Sequence, residues 1–524
     1  MWSISRRFSA AVSLCAVLLV AAPPGGATTM QAPDRSAASG IVARHGFADA
    51  EIGFVLRDLA TGVTLAQHRP EAPLIPASVS KVGTAVAALE ILGAEHRFVT
   101  ALLIDGDIAD GILRGSVYLR GGGDPLLDNG ALRGLAERLA SLGVRRVEGR
   151  FVYDESALPA YSRIDTLQPD AASYNPGISA LSLNFNRVEL QWRRERGDSF
   201  VALTHAISDG LSVPIESFTF TAASMRLPGG APFVRGGSQA GSAPADAEEA
   251  DWIFDPAIAD KGYAWLPVHE AGVAAARVFR TIATGAGIAL PEPEAGITPP
   301  GTRMVAAHEG RPVVDLVRLL LRHSNNLTGE LLGLAAASRL AGEVLPLDRA
   351  SAAIALWAAA RLQPAGWADY APLNFSGLTS SGRMSPNHAA ALLDHGAQRD
   401  YAGASLVDLM PARAVEVSEQ VRVKVKPTKK NPSGTATVTR SRTVGSTYAK
   451  TGTMAYVRGL AGYLDAASGR RLVFAIFVND PVERRAMDES AAVLSPVPPP
   501  ASRRWLGRAR AVEQALLKDW AQRY

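Results

Sequence analysis

Cysteine is almost missing from this chain: among 524 residues the only one is Cys15, inside an apolar stretch near the start. That excludes a disulfide framework within the chain and any cysteine-based metal site. Long hydrophobic runs are missing too. The apolar stretch Phe8–Ala22 follows Arg6-Arg7 and falls short of the roughly 20 residues that a membrane span requires. Pro23-Pro24 and the small residues Gly25-Gly26-Ala27 come next, so residues 1–27 read as an export signal cut near Ala27, placing the protein in the periplasm or cell envelope. No small residue stands just before Cys15, so no lipid anchor is expected. Excess charge is slight, +4 for the whole chain, and a nucleic-acid partner is not expected. Lysine is scarce, confined to Lys81, Lys261, Lys424, Lys426, Lys429, Lys430, Lys450 and Lys518.

What is present is an ordinary globular composition, 47% hydrophobic and 20% charged, at a length that suggests two or three domains. Residues 28–39 are small and polar and read as a flexible leader. Glu51–Leu59 and Val63–His68 read as strands around Ala60-Thr61-Gly62, and Ser78 opens an alanine-rich helix over Val79–Leu92. From about Arg97 to Glu292 short alternating stretches and Gly, Pro and Asp turns predict a β-rich insertion. A helix is expected near Val268–Gly287, and residues 228–250 read as a loose loop. Helices are predicted over Pro312–Arg322 and Leu327–Ala341, strands over Ser446–Thr453, Gly459–Leu464 and Arg471–Val478, and a final amphipathic helix over Arg503–Trp520. The expected division is 1–27 signal, 28–95 first part of a catalytic domain, 96–293 insertion, and 294–524 second part. No internal repeat is found.

The chemistry sits in three short motifs. Ser78-Val79-Ser80-Lys81 is the one Ser-x-x-Lys, with the pair one helical turn apart and able to face one cleft. A serine hydroxyl is a poor nucleophile until a base takes its proton, and a desolvated lysine can be that base. Ser-x-Asn occurs at Ser173–Asn175, Ser182–Asn184, Ser324–Asn326 and Ser385–Asn387. Ser324 and Asn326 are chosen because they lie on a short polar break between two helices. Lys450-Thr451-Gly452, the one Lys-Thr-Gly, offers a positive charge, a hydroxyl for a carboxylate and a glycine permitting close approach. The N–H of Thr453 is expected to pair with that of Ser78 as an oxyanion hole.

In this order the motifs resemble the penicillin-binding serine D-alanyl-D-alanine peptidases. The 246 positions from Ser78 to Ser324 narrow the resemblance to the family of penicillin-binding protein 4 type, peptidase family S13. Gly121–Leu126, Tyr174-Asn175-Pro176, Ala180–Asn186, Glu330 and Leu460–Tyr463 also match it. The resemblance implies an α/β (α+β) transpeptidase-like core, a five-stranded antiparallel sheet flanked by helices and split by the insertion. It further implies carboxypeptidase or endopeptidase trimming of peptidoglycan stem peptides, with β-lactams as covalent inhibitors and no metal or organic cofactor. Ser78 would attack, Lys81 take its proton, Ser324 relay a proton with support from Lys450, Asn326 hold the acyl amide, Thr451 bind the terminal carboxylate, and Gly452 let the ligand backbone approach.

One departure stands out. Where the family often carries an arginine for the stem-peptide diamino acid, this chain reads Asn374-Phe375-Ser376-Gly377-Leu378-Thr379-Ser380, with Arg383 three residues on. Asp154 lines up with the acid that receives the side-chain amine, although it reads equally well as a turn residue. The run Val421–Thr443 holds seven basic residues, and no acid occurs from Gln420 to Leu464. It reads as a solvated loop, or as a mobile flap making weak contact with anionic wall polymers or a membrane surface. A serine β-lactamase or esterase and a non-hydrolytic wall scaffold remain the rival readings.

Overall fold

The computed structural model describes residues 35–195, 200–208, 210–215, 218–223, 226–227, 232–236, 252–255, 257–362, 366–424, 426, 435–490 and 498–524. The expected export signal, residues 28–34 of the leader and most of the loop 228–250 lie outside the described residues.

The catalytic part is built on a six-stranded antiparallel sheet. Its order is Ala412–Lys424, Thr435–Met454, Val457–Asp465, Arg471–Asn479, Ile52–Asp58 and Thr64–His68. Strand Arg471–Asn479 is buried along nearly its whole length, as a strand must be when helices cover both faces. On one face lie the N-terminal helix Arg35–Arg44 and the terminal helix Pro500–Arg523, whose Trp505, Leu516 and Trp520 pack with Phe54, Phe474 and Ile476. On the other lie helices Lys81–Ile91, Val313–His323 and Pro386–Ala397, with Val82, Val86, Leu320 and Leu393 against Val55, Tyr463 and Phe477. Each fully buried side chain of this size contributes about 1.5–3 kcal/mol.

Three expectations are corrected here. The sheet has a sixth strand, because the described residues on either side of the basic run's middle are paired: Ala412–Lys424 pairs with Thr435–Tyr448 from Lys424↔Thr435 to Ala412↔Tyr448, while Lys429 and Lys430 lie outside the described residues. Residues 35–39 of the expected leader are helical, and Ala38, Ile41 and Val42 are buried near Trp505. The insertion runs past 293, because strand Arg303–Pro312 pairs antiparallel with Arg97–Ile104 before the chain re-enters the catalytic helices at Val313.

The insertion is β-rich as expected. A five-stranded sheet of order Pro293–Ala295, Phe151–Asp154, Val117–Arg120, Arg97–Ile104 and Arg303–Pro312 is joined by a four-stranded sheet built around Arg187–Arg194 and two three-stranded sheets. It has its own core, with Phe151, Trp252, Phe254 and Phe279 fully buried. A separate cluster joins the two parts: Leu158, Ile164, Ile178 and Ala180 of the insertion pack with Ala87, Leu327, Leu331 and Phe375.

Candidate active site

Ser78 lies in a 3-10 turn, Ala77–Ser80, that runs directly into helix Lys81–Ile91. The segment leading into it is held by one amide: Asn479 Oδ1 accepts from Ile75 N at 2.6 Å, and Asn479 Nδ2 donates to Ile75 O at 3.2 Å. Ala77 carries φ +46°, a left-handed value that a non-glycine residue rarely adopts. Two glycines permit the neighbours to close in. A Cβ on Gly452 would stand 2.5 Å from Pro76 O and 3.1 Å from Ser78 N, and one on Gly377 would stand 2.0 Å from Ala77 O.

Lys81 is wholly buried. Its Nζ lies 2.9 Å from Ser78 Oγ, 2.7 Å from Asn326 Oδ1 and 2.6 Å from Ser376 O. Burial, helped by the charge on Lys450, holds its pKa well below the usual lysine value, against an opposing pull from Glu330. The hydrogen-bond partners make the neutral form useful. A neutral amine has two N–H bonds and one lone pair. Asn326 Oδ1 and Ser376 O can only accept, so they take both N–H bonds and leave the lone pair facing the serine hydroxyl.

Beneath them lies Glu330, also fully buried. Its Oε1 accepts from Ser376 N at 2.8 Å and its Oε2 from Phe375 N at 3.1 Å, while burial raises its pKa. Thr84 Oγ1 donates to Phe375 O at 2.6 Å. Glu330 thus fixes the carbonyl that in turn fixes Lys81. The sequence marked Glu330 only as a motif match, and nothing there showed this duty.

Ser324 and Asn326 come from the junction of two helices. Ser324 ends helix Val313–His323 at φ +57°, and Asn325 caps helix Asn326–Ala341 by accepting from Thr328 N at 2.9 Å. Asn326 Nδ2 donates to Tyr174 O at 2.9 Å, so the insertion forms one wall of the site. The other Ser-x-Asn copies do structural work. Ser385 caps helix Pro386–Ala397, Asn175 Oδ1 accepts from Ile164 N and Asp165 N, and Asn184 Nδ2 donates to Asn129 Oδ1.

Lys450 is buried on strand Thr435–Met454 and donates to Thr451 O at 2.7 Å. Burial, with the nearby Arg458 charge, lowers its pKa to about 7. Pairing with the sixth strand ends at Ala412↔Tyr448, so among the described residues Lys450–Met454 has no strand partner on that side. An extended peptide can add along such an edge. Thr451 and Thr453 alternate with Gly452, and Thr453 Oγ1 accepts from Arg458 Nη1 at 2.8 Å.

Asp154 does not fit the role expected for it. It is 1% exposed, its Oδ1 accepts from Ser156 N and Oγ, and its Oδ2 accepts from Thr298 N. A carboxylate so fully used fixes a turn and does not await an amine. Arg383 has one guanidinium nitrogen on nearby carbonyls: its Nη1 donates to Ser380 O and Gly382 O, both at 2.9 Å.

A helix-flanked antiparallel sheet with a lysine-paired serine beside a Lys-Thr-Gly strand defines a transpeptidase-like fold. The chain belongs to the D-Ala-D-Ala carboxypeptidase 3 (S13) family, whose profile matches residues 38–221 and 256–496. It is 35% identical over 139 residues to a D-alanyl-D-alanine carboxypeptidase of an Actinomadura species, covering 25% of each chain. It is 34% identical over 112 residues to the D-alanyl-D-alanine carboxypeptidase DacB of Haemophilus influenzae, covering 21% of this chain and 23% of that one. The aligned region is thus about a quarter of the length of these curated relatives. A carboxypeptidase of Mycobacterium tuberculosis matches at 24% identity over 486 residues, 89% of this chain and 85% of the relative. In fold, the chain is similar to penicillin binding protein 4 (dacB) of Haemophilus influenzae, with TM-score 0.67 and 18% identity over 92% of this chain and 99% of that one.

Proposed function

We propose that the protein is a serine D-Ala-D-Ala carboxypeptidase, with endopeptidase action on cross-linked stem peptides, working through an acyl-enzyme that β-lactams also form. The observation that carries this reading is the fully buried Lys81 amine 2.9 Å from Ser78 Oγ, with its other two hydrogen bonds on acceptors. Lys81 takes the Ser78 proton as Oγ bonds to the carbonyl carbon between two D-alanines. The oxyanion is held by the N–H groups of Ser78 and Thr453. The C–N bond breaks as a proton passes through Ser324 to the leaving amine, with Lys450 charged beside it. Asn326 holds the acyl amide, Thr451 the departing carboxylate, and water then releases the acid. None of these steps calls on a metal or organic cofactor.

Two finer points follow. With Ser380 in place of an arginine and Arg383 tied to carbonyls, the enzyme does not discriminate between free and amidated diamino-acid carboxylates. The protein works after export, in the periplasm or envelope; among the described residues no helix is long and apolar enough to cross a membrane.

The test is fluorescent-penicillin labelling of the purified protein beside Ser78→Ala, with muropeptides digested in the same preparation. Label lost in Ser78→Ala, together with D-alanine release, supports the carboxypeptidase, and cleavage of cross-linked dimers supports the endopeptidase. Folded wild-type protein that neither labels nor cuts overturns the reading.

A further inference from the structure

A second charged pair lies behind the Lys-Thr-Gly strand. Arg458, on strand Val457–Asp465, stands opposite Thr453 in register. Glu513 reaches it from the terminal helix Pro500–Arg523: Arg458 Nε donates to Glu513 Oε2 at 2.7 Å and Nη2 to Oε1 at 2.8 Å. Both side chains are almost buried, at 10% and 7% exposure. The remaining arm of the guanidinium donates to Thr453 Oγ1 at 2.8 Å.

That geometry determines what the threonine can do. A hydroxyl has one proton to donate and two lone pairs. Arg458 occupies one lone pair, so the proton is left to be given away from the arginine, and Thr453 itself is exposed. A two-point carboxylate clamp also fixes the guanidinium plane, which a lysine could not reproduce. A cleft of about 310 Å³ adjoins this strand, and its lining includes Arg413, Thr451, Arg458 and Lys518 together with the acids Glu416 and Glu513.

We propose that Arg458, locked by Glu513 of the terminal helix, is a positioning residue that turns the Thr453 hydroxyl toward the free carboxylate of the leaving group and makes the enzyme selective for acyl donors that carry one. This rests on the reading of Ser78 as nucleophile and of the Thr451–Thr453 edge as the carboxylate side of the cleft. It separates two duties on one strand: Gly452 sets how closely Ser78 approaches, and Arg458 acts on the leaving group through Thr453.

Replacing Arg458 alone would strand a buried carboxylate, so the experiment uses Arg458→Gln/Glu513→Gln, which keeps a neutral hydrogen-bonded pair. It is assayed on an acyl-D-alanyl-D-alanine peptide and on the matching thioester whose leaving group has no carboxylate. Loss of a charge-supported hydrogen bond predicts a fall of about 10- to 100-fold in kcat/KM on the peptide, carried mainly by KM, and a change of less than about threefold on the thioester. Arg458→Lys should fail to restore the peptide activity. Equal losses on both substrates, or none on either, would overturn the proposal. Wild-type protein inactive on both, with no Ser78 labelling, would instead sink the acyl-enzyme reading beneath it.

Discussion

Lys81 and Lys450 face the same cleft with opposite requirements. In the proposed mechanism the first is neutral to receive a proton, and the second stays charged to support the relay. Burial lowers both, Lys81 well below the normal value and Lys450 to about 7. The rate of penicillin acylation should therefore fall as Lys450 loses its proton near 7, a descending limb that no free lysine would give. Acylation rates from pH 5 to 10 check this, and a flat profile through 6–8 would count against it. The stability sign is separate. Lys450 has a lower pKa folded than unfolded, so its burial penalty is fully present below about 7 and is relieved as pH climbs toward the unfolded value of 10.5. Gly452 offers a second check at this scale. Its added Cβ would meet Pro76 O at 2.5 Å, so Gly452→Ala should push the strand from Ser78. A misplacement near 1 Å is expected to cost on the order of 100-fold in acylation with the fold kept, as read by labelling kinetics beside circular dichroism.

Among the elements, the paired strands Ala412–Lys424 and Thr435–Met454 were the least legible in the sequence. Val415, Val417, Val421 and Val423 do alternate with polar residues, a usable strand signal, but the surrounding charge reads as a loop when weighed first. The Ser-x-x-Lys and Lys-Thr-Gly segments were readable because each motif occurs once and sits at the start of a helix or on a strand. Ser324 and Asn326 were readable only through their helical flanks. Asn479, Arg458 and Glu513 were not, since each acts through a partner 55 to 404 positions away or by register, which no local pattern records. For Asp154 the sequence leaves both readings open, because a turn-fixing carboxylate and a receptor carboxylate look alike in sequence. The hairpin itself carries Arg422, Lys424, Arg440 and Arg442 on exposed or half-buried positions, with Glu419 the one acid pairing with Arg442, at 3.7 Å. Charge also protects the edge strand from pairing with other chains. If the hairpin contacts anionic wall polymer, Arg422→Glu/Lys424→Glu/Arg440→Glu should weaken sacculus binding by several-fold at low salt and much less at high salt, where exposed charges are screened. Pull-down on isolated sacculi across a salt series reads this, and binding unchanged at low salt would leave the arm as a solvated edge.

Across the whole molecule, the insertion both folds around its own core and closes the catalytic cleft. Its sheets surround Phe151, Trp252, Phe254 and Phe279, yet Leu158, Ile164, Ile178 and Ala180 belong to a cluster shared with the catalytic helices. Through that joint Tyr174 O reaches Asn326, Tyr161 Oη accepts from Leu347 N at 2.7 Å, and Gln168 Nε2 donates to Leu378 O at 3.4 Å. The placement of Asn326, and so one of the acceptors that orients Lys81, depends on a segment about 150 positions distant in sequence. Two truncations distinguish joint from core. Ile178→Ala and Phe279→Ala each remove a fully buried side chain and should cost on the order of 2–5 kcal/mol. Only Ile178→Ala lies at the joint, four residues from Tyr174, and it should slow Ser78 acylation about tenfold in the folded protein as Asn326 loosens. Phe279→Ala should lower thermal stability while leaving acylation of the folded fraction unchanged. Stopped-flow acylation below the unfolding transition separates the two. Equal acylation rates in both variants would mean that the insertion covers the site without tuning it, and that the Lys81 geometry is set by Glu330, Phe375 and Ser376 alone.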